Sequence, residues 1–270
     1  MITLFTVPKR FEGEIGRIQE IALRSWLALE REAQIVLVCH GEDVAAAARK
    51  AGVEHVSATS CGSRGAPRLD EAFAEVDRVA RYPLRLFVNA DIVLLPGVLE
   101  ALERVAALRR PFLIVGETRD LSLDARSLDD AEALRVRALR EGAPRGAAAI
   151  DWFGFSSGLF DPLPPFLVGR ATFDNWMLWH ARQSGIVVDA TRAVVAIHQP
   201  HTYEHLAGGR DEAYHGEEAT ENLRVGGGRH RLYTLHDASH TMRADGRLVR
   251  NYRSMLRVRA TVRRTRSRTR

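Results

Sequence analysis

The chain has 270 residues, 46% of them hydrophobic and 27% charged, which fits one large or two small soluble α/β units. No apolar run approaches the ~20 residues of a membrane span. The net charge of +5 belongs to the end of the chain: residues 257–270 carry seven arginines and no acid and leave the rest at −2, so the basic balance gives no reason to expect nucleic-acid binding.

The N-terminus, Met1 to Pro8, has no basic leader and reads as a first strand over Ile2–Val7, not as a signal peptide. Apolar residues Ile15, Ile18, Ile21, Ala22, Trp26 and Leu29 recur at helical spacing and predict a helix over 15–30. A second strand follows over Gln34–Cys39, then an Ala-rich helix ended by Gly52, and a short third strand over Val53–Ser57. A Gly-containing loop at 60–67 precedes a helix over Leu69–Arg81. Leu84–Val88 is the fourth strand, Pro96 opens a helix to Leu108, and Phe112–Gly116 is the fifth strand. The order predicts an α/β fold with a mostly parallel, Rossmann-like sheet flanked by helices.

The second half is less regular. Its expected elements are a surface helix over 128–141, strands over 150–155 and 158–160, a proline-marked turn at 162–165, a helix over 173–184, and strands over 186–190 and 193–198. From His201 to Arg231 the chain is rich in His, Gly and Arg and is expected to be either a lid or a plain surface loop. The tail from 257 is expected to be disordered, suited to weak contact with an anionic membrane surface or simply solvated. Two cysteines, Cys39 and Cys61, make neither a disulfide framework nor a zinc site. The expected location is cytoplasmic, peripheral at the membrane if the tail engages it.

The most informative stretch is the fourth strand with its acidic end, Asn89-Ala90-Asp91. Burying that strand places Asp91 at the carboxyl edge of the sheet, where open α/β folds bind ligands. A carboxylate with an oxygen donor two residues earlier suits a hard divalent cation that also holds phosphates; the competing role for Asp91 is a cap on the following segment. A dinucleotide glycine fingerprint and a P-loop are missing from the sequence.

Four stretches, spread over residues 1–205, together resemble a GT-A fold glycosyltransferase of the family-2-like, nucleotide-sugar-dependent type. They are Ile2–Pro8, Gln34–Asp43, Asn89-Ala90-Asp91 and Gly169–Trp176. The third is similar to the family's DxD motif, with Asn89 in place of the first Asp. The resemblance implies that Thr6, Val7, Pro8 and Lys9 meet the nucleotide, that His40 and Asp43 hold base or ribose, and that Asn89 and Ala90 line the donor. It also implies that Asp91 and a late histidine, His198, bind Mn2+ or Mg2+, and that Asp174 is the catalytic carboxylate. His201 and His205 are alternatives to His198, which itself is otherwise a histidine at the edge of the core. Asp174 equally suits a helix N-terminus.

Other candidates come from the residues themselves. Gly65 lets backbone approach a phosphate that Arg68 could pair with, and Arg170 offers a bidentate guanidinium to a diphosphate, with a surface ion pair as its alternative. Asp151 and Trp152, in a run of aromatics and small residues, suit an acceptor sugar, although Trp152 equally suits a core strand. Asn175 joins the acceptor side.

The expectation is therefore a single domain over 1–256, with 1–120 holding the nucleotide sugar and 121–256 the acceptor. It would act as a metal-dependent, inverting glycosyltransferase using a UDP- or GDP-sugar and a hydroxyl acceptor, either glycan or lipid-linked. The alternatives are a non-catalytic sugar- or nucleotide-binding protein on the same fold, or a nucleotidyltransferase.

Overall fold

The computed structural model of the protein describes residues 1–29, 33–57, 60–202, 206–254 and 256. His205 and the arginine-rich tail from 257 lie outside the described residues. The elements follow in chain order: β1 (Ile2–Thr6), α1 (Gly13–Leu27), β2 (Ala33–Val38), α2 (Glu42–Ala51), β3 (Glu54–Val56), α3 (Leu69–Val79), β4 (Leu84–Val88), β5 (Ile92–Leu94) and α4 (Val98–Ala106). Next come β6 (Phe112–Val115), β7 (Thr118–Asp120), α5 (Ala131–Glu141), β8 (Ala143–Pro144), β9 (Trp152–Ser156), α6 (Phe173–Ser184), β10 (Ile186–Asp189) and β11 (Ala196–His198). The last are α7 (Gly209–His215), α8 (Glu217–Val225), β12 (His240–Met242) and β13 (Leu248–Arg250).

A nine-stranded sheet, in the order β13-β12-β10-β6-β9-β4-β1-β2-β3, forms the centre. Its strands are parallel except that β9 runs antiparallel between β4 and β6, and β13 runs antiparallel on the edge. The expected mostly parallel α/β sheet is thus present, and β9 ties the second half of the chain into the sheet built by the first. Both faces are covered, which is why β1, β4 and β6 are near-continuous apolar runs. Side chains alternate between two cores. Ile2, Leu4, Leu86 and Val88 pack with α1 and α4, while Phe5, Phe87 and Phe155 pack with Phe73 of α3 and Met177 of α6. Helix α1 joins its core through Ile18, Ile21, Ala22 and Trp26, at the spacing that the sequence displays.

A second, four-stranded sheet, β5-β11-β7-β8, sits at the carboxyl edge of the first. It has no counterpart in the sequence reading, apart from the end of the strand expected over 193–198. Strands of two or three residues are too short to display a period. Three further expectations are corrected. Residues 158–160 form a turn, with Gly158 at φ 76° and Leu159 N–H bonded to the Ser156 carbonyl. The strand expected from 193 begins at Ala196, because Ala193 and Val194 both donate back to the Ala190 carbonyl. The expected loop over 201–231 contains α7 and α8. The buried Asn222 bolts α8 to the loop before α6, bonding both the N–H and the carbonyl of Leu167. Among the described residues, no helix is long and apolar enough to cross a membrane.

Candidate active site

The carboxyl ends of β1 and β4 are neighbours in the sheet. Strand β9, being antiparallel, brings the residue before its start, Asp151, to the same edge, where Asn89 N–H donates to the Asp151 carbonyl over 2.9 Å. The turn that carries Asp91 is held from below. Ile92 N–H closes it onto the Asn89 carbonyl at 3.1 Å, and Trp26 Nε1 on α1 donates to the Ile92 carbonyl at 3.0 Å. Across the small sheet, β5 pairs with β11 so that Ile92 faces His198. Gln199 then donates its N–H to the Asp91 carbonyl, at 3.2 Å.

This register delivers two imidazoles to one carboxylate oxygen. Asp91 Oδ2 lies 3.1 Å from His201 Nε2 and 3.5 Å from His198 Nε2, and one ligand atom from each of the three residues falls within 4.8 Å of the others. The other oxygen, Asp91 Oδ1, is buried without a hydrogen-bond partner. Behind them, His198 Nδ1 meets Asp120 Oδ1 at 2.7 Å, and His201 Nδ1 meets the Thr202 carbonyl at 2.9 Å. Burial alone would raise the Asp91 carboxyl, but hydrogen bonds and charge from His198 and His201 hold it well below the usual carboxylate range. Burial disfavours the His198 imidazolium, yet Asp91 outweighs it and raises His198 above an ordinary histidine. A carboxylate, two imidazole nitrogens and an orphaned buried oxygen form a donor set that fits a divalent cation.

A polar network continues from this cluster. Asp120 pairs with Arg145 Nε at 3.3 Å, and Arg145 Nη1 pairs with Asp151 Oδ2 at 2.5 Å. Asp151 also accepts from Asn89 Nδ2 at 3.1 Å and Thr118 Oγ1 at 2.7 Å. Asp151, expected to meet an acceptor, is therefore engaged on both oxygens inside the protein and braces the Asn89 turn.

Asp174 stands in the first turn of α6. Its carboxyl is raised to about 7, first by burial, with the Asp151 charge adding to it and main-chain N–H groups of the helix start opposing it. Its Oδ1 is buried without a partner. The preceding Thr172 caps the helix at φ 94°, a left-handed conformation that a β-branched residue rarely adopts. Lys9, after β1, is depressed by burial, with Asp91 opposing and Arg170 adding to the effect, which places its amine within electrostatic reach of both.

The remaining candidates divide. Thr6, Val7 and Pro8 are buried at the end of β1, and Thr6 Oγ1 has no partner. Ala90 is half-buried in the Asp91 turn, whereas His40 is exposed at the end of β2, with Nδ1 3.0 Å from Ser57 Oγ. Asp43 Oδ2 accepts from Phe11 N–H at 2.9 Å and so fixes the loop after β1. Gly65, at φ 84°, forms an exposed turn, and Arg68 pairs with Asp70 and Glu71 of its own helix. Arg170 is buried and directs Nε and Nη2 to Glu218 Oε2 at 2.9 and 2.7 Å, so its guanidinium is already paired. Asn175 Nδ2 donates to the Tyr233 carbonyl at 2.8 Å.

Of the two roles that the sequence allows Trp152, the structure shows the core strand and not the acceptor contact. Trp152 is 1% exposed, on a strand covered on both faces, and Gly116 lies so close that an added Cβ would sit 2.8 Å from its Cζ2. No ring face is open to a sugar. Conversely, Asp120, Arg145 and Thr118 escaped the reading because they depend on β7, whose three residues carry no periodic signal. His201 had only its spacing from His198 to announce it.

No family model matches the chain, and no curated protein matches it. Solved structures resemble it at low identity. The crystal structure of S. aureus TarS is 11% identical, with a TM-score of 0.49, over 74% of this chain and 37% of that one. Glucosyl-3-phosphoglycerate synthase from Mycobacterium tuberculosis, in complex with Mn2+, uridine diphosphate and phosphoglyceric acid, is 13% identical, with a TM-score of 0.46, over 85% and 79%. The 4-diphosphocytidyl-2C-methyl-D-erythritol synthase from Anaerococcus prevotii is 16% identical, with a TM-score of 0.34, over 57% and 69%. The chain thus spans well under half of the TarS structure. Likeness at this level says nothing of chemistry, which must be argued from the site.

Proposed function

We propose that the chain is a metal-dependent glycosyltransferase that moves a sugar from a UDP- or GDP-sugar to a hydroxyl acceptor with inversion. The observation that carries this reading is the Asp–His cation cluster at Asp91 and His198; it is supported by a separate carboxyl, Asp174 in the first turn of α6, raised to about 7 by burial with the Asp151 charge adding to it. Those are the two chemistries that an inverting transfer needs, charge neutralisation at the leaving diphosphate and a base for the acceptor.

A Mn2+ or Mg2+ ion held by Asp91 and His198 would supply Lewis-acid stabilisation of the departing diphosphate. Lys9, which interacts electrostatically with Asp91, would add a positive group beside the phosphates. The turn that carries Asp91 is braced by Asp151 at Asn89 and by Trp26 at Ile92, which would limit the reorganisation of this ligand on binding. Asp174 takes the proton from the acceptor hydroxyl as its oxygen bonds to the anomeric carbon. A base near 7 combines a large ionised fraction at neutral pH with useful proton affinity. Residues 1–120 would hold the donor and residues 121–256 the acceptor within one domain.

The test is calorimetric titration of UDP and GDP, each with and without Mn2+, into the wild type and Asp91→Ala. Metal-dependent nucleotide binding that the variant loses supports the reading. Failure of both nucleotides to bind the wild type in the presence of Mn2+ overturns it.

A further inference from the structure

We infer that His201 is a third protein ligand of the cation site, and that the resulting two-imidazole, one-carboxylate face selects a transition-metal ion over Mg2+. The inference deepens the metal part of the proposed function and rests on that reading.

His198 Nδ1 lies 2.7 Å from a carboxylate oxygen of Asp120, and His201 Nδ1 lies 2.9 Å from the Thr202 carbonyl. Both partners can only accept, so both Nδ1 atoms carry hydrogen. In a neutral imidazole the remaining nitrogen is then a lone pair. The two Nε2 lone pairs and Asp91 Oδ2 converge, with separations of 3.1 and 3.5 Å from that oxygen. Three acceptors facing one another are stabilised in one of two ways, by protonating the imidazoles or by placing a cation among them. The partnerless Asp91 Oδ1 favours the cation, because imidazolium protons at Oδ2 leave that oxygen unsatisfied.

The backing of each histidine has the same form as in metal sites, where the distal N–H is fixed by a carboxylate or a carbonyl. His201 is also the more enclosed of the pair, with 6% of its side chain exposed against 12% for His198. A solvated loop histidine has no reason to be so placed. Imidazole nitrogen is a borderline donor that suits Fe2+, Co2+ and Zn2+ and that Mn2+ accepts less strongly, whereas Mg2+ prefers oxygen and retains its water. Replacing one oxygen or water position by a second imidazole therefore shifts the preference away from Mg2+. The neutral Asn89 in the place of a second acid removes oxygen charge from the same region and acts in the same direction.

The test measures metal binding directly. Mn2+, Co2+ and Mg2+ are titrated calorimetrically into the wild type, His201→Gln and His198→Gln, with and without UDP, and folding is checked by circular dichroism. Mn2+ electron paramagnetic resonance reports nitrogen coordination. The wild type is expected to bind Co2+ and Mn2+ more tightly than Mg2+. His201→Gln should weaken Co2+ and Mn2+ about tenfold or more, leave Mg2+ nearly unchanged, and reduce the nitrogen coupling. Equal metal preferences in the wild type and folded His201→Gln overturn the inference, as does a wild type that binds none of the three ions. The two readings fail separately. Selective, His201-dependent metal binding without nucleotide binding sinks the glycosyltransferase reading alone. Metal-dependent nucleotide binding indifferent to His201 sinks this inference alone.

Discussion

His198 and Asp120 face each other across the parallel β7–β11 pair, and the imidazole Nδ1 lies 2.7 Å from the carboxylate. The contact fixes both the ring orientation and its tautomer, leaving Nε2 as the nitrogen that faces Asp91. Asp120→Ala should weaken Mn2+ binding by about 10–100-fold, the usual effect of removing such a partner. Asp120→Asn should recover most of the loss, since its amide oxygen can still accept. Mn2+ titration of both variants decides this, and an unchanged affinity in Asp120→Ala would remove Asp120 from the site.

Asp174→Asn should lower kcat by roughly 10²–10⁴-fold, the usual worth of a positioned base, while leaving UDP affinity intact. In the wild type, kcat should rise with pH and level off above about 7, because only the ionised carboxylate accepts a proton. The same shift has a stability consequence of opposite sign. The folded carboxyl titrates near 7 and the unfolded one near 3.8, so between these values the native state holds more protons and stability falls as pH rises. Asp174→Asn should therefore stabilise the protein at pH 8, by about 1–3 kcal/mol once partial solvent exposure is allowed for. At pH 4 it should be close to neutral. Thermal melts at the two pH values, with the pH–rate profile, test both halves.

Trp152→Ala should behave as a core mutation. The ring is 1% exposed and packed against Gly116, so its removal leaves a cavity costing about 3–5 kcal/mol. Urea melts should record that loss. UDP and acceptor affinities, measured where the variant remains folded, should match the wild type. A tenfold loss of acceptor affinity without destabilisation would restore the sugar-stacking role.

The inner strands of the central sheet were legible because they are buried on both faces and therefore read as apolar runs, whereas the partly exposed edge strands β12 and β13 carry no such run and were not expected. Asp91 and Asp174 were legible for a related reason, as polar residues where such a run ends or a helix begins. What closed the site was written elsewhere. The small sheet has strands of two or three residues, too short to carry a period, yet its register alone brings His198 to Asp91 and Asp120 to His198. Trp152 and Arg170 misled for the opposite reason. A Trp among small residues and an Arg before a helix have the same local sequence whether they face a ligand or the interior. Only the antiparallel insertion of β9 and the docking of α8 decide between the two.

Arg170 makes the last case testable. Its Nε and Nη2 converge on Glu218 Oε2, both side chains are at most 5% exposed, and Glu218 Oε1 accepts from Arg64 N–H at 2.8 Å. Removing one partner of such a pair strands a buried charge, so Arg170→Met should cost about 3–5 kcal/mol. Glu218→Gln, which keeps an acceptor for Arg64, should also destabilise, because the guanidinium loses its counter-charge. Combining Arg170→Met with Glu218→Gln should recover part of the loss, since no buried charge is left unpaired. A guanidinium committed to Glu218 does not hold a diphosphate, so UDP affinity in folded Arg170→Met should stay within about twofold of the wild type, apart from its long-range effect on Lys9. A tenfold fall in UDP affinity, with stability unchanged, would return Arg170 to the donor site.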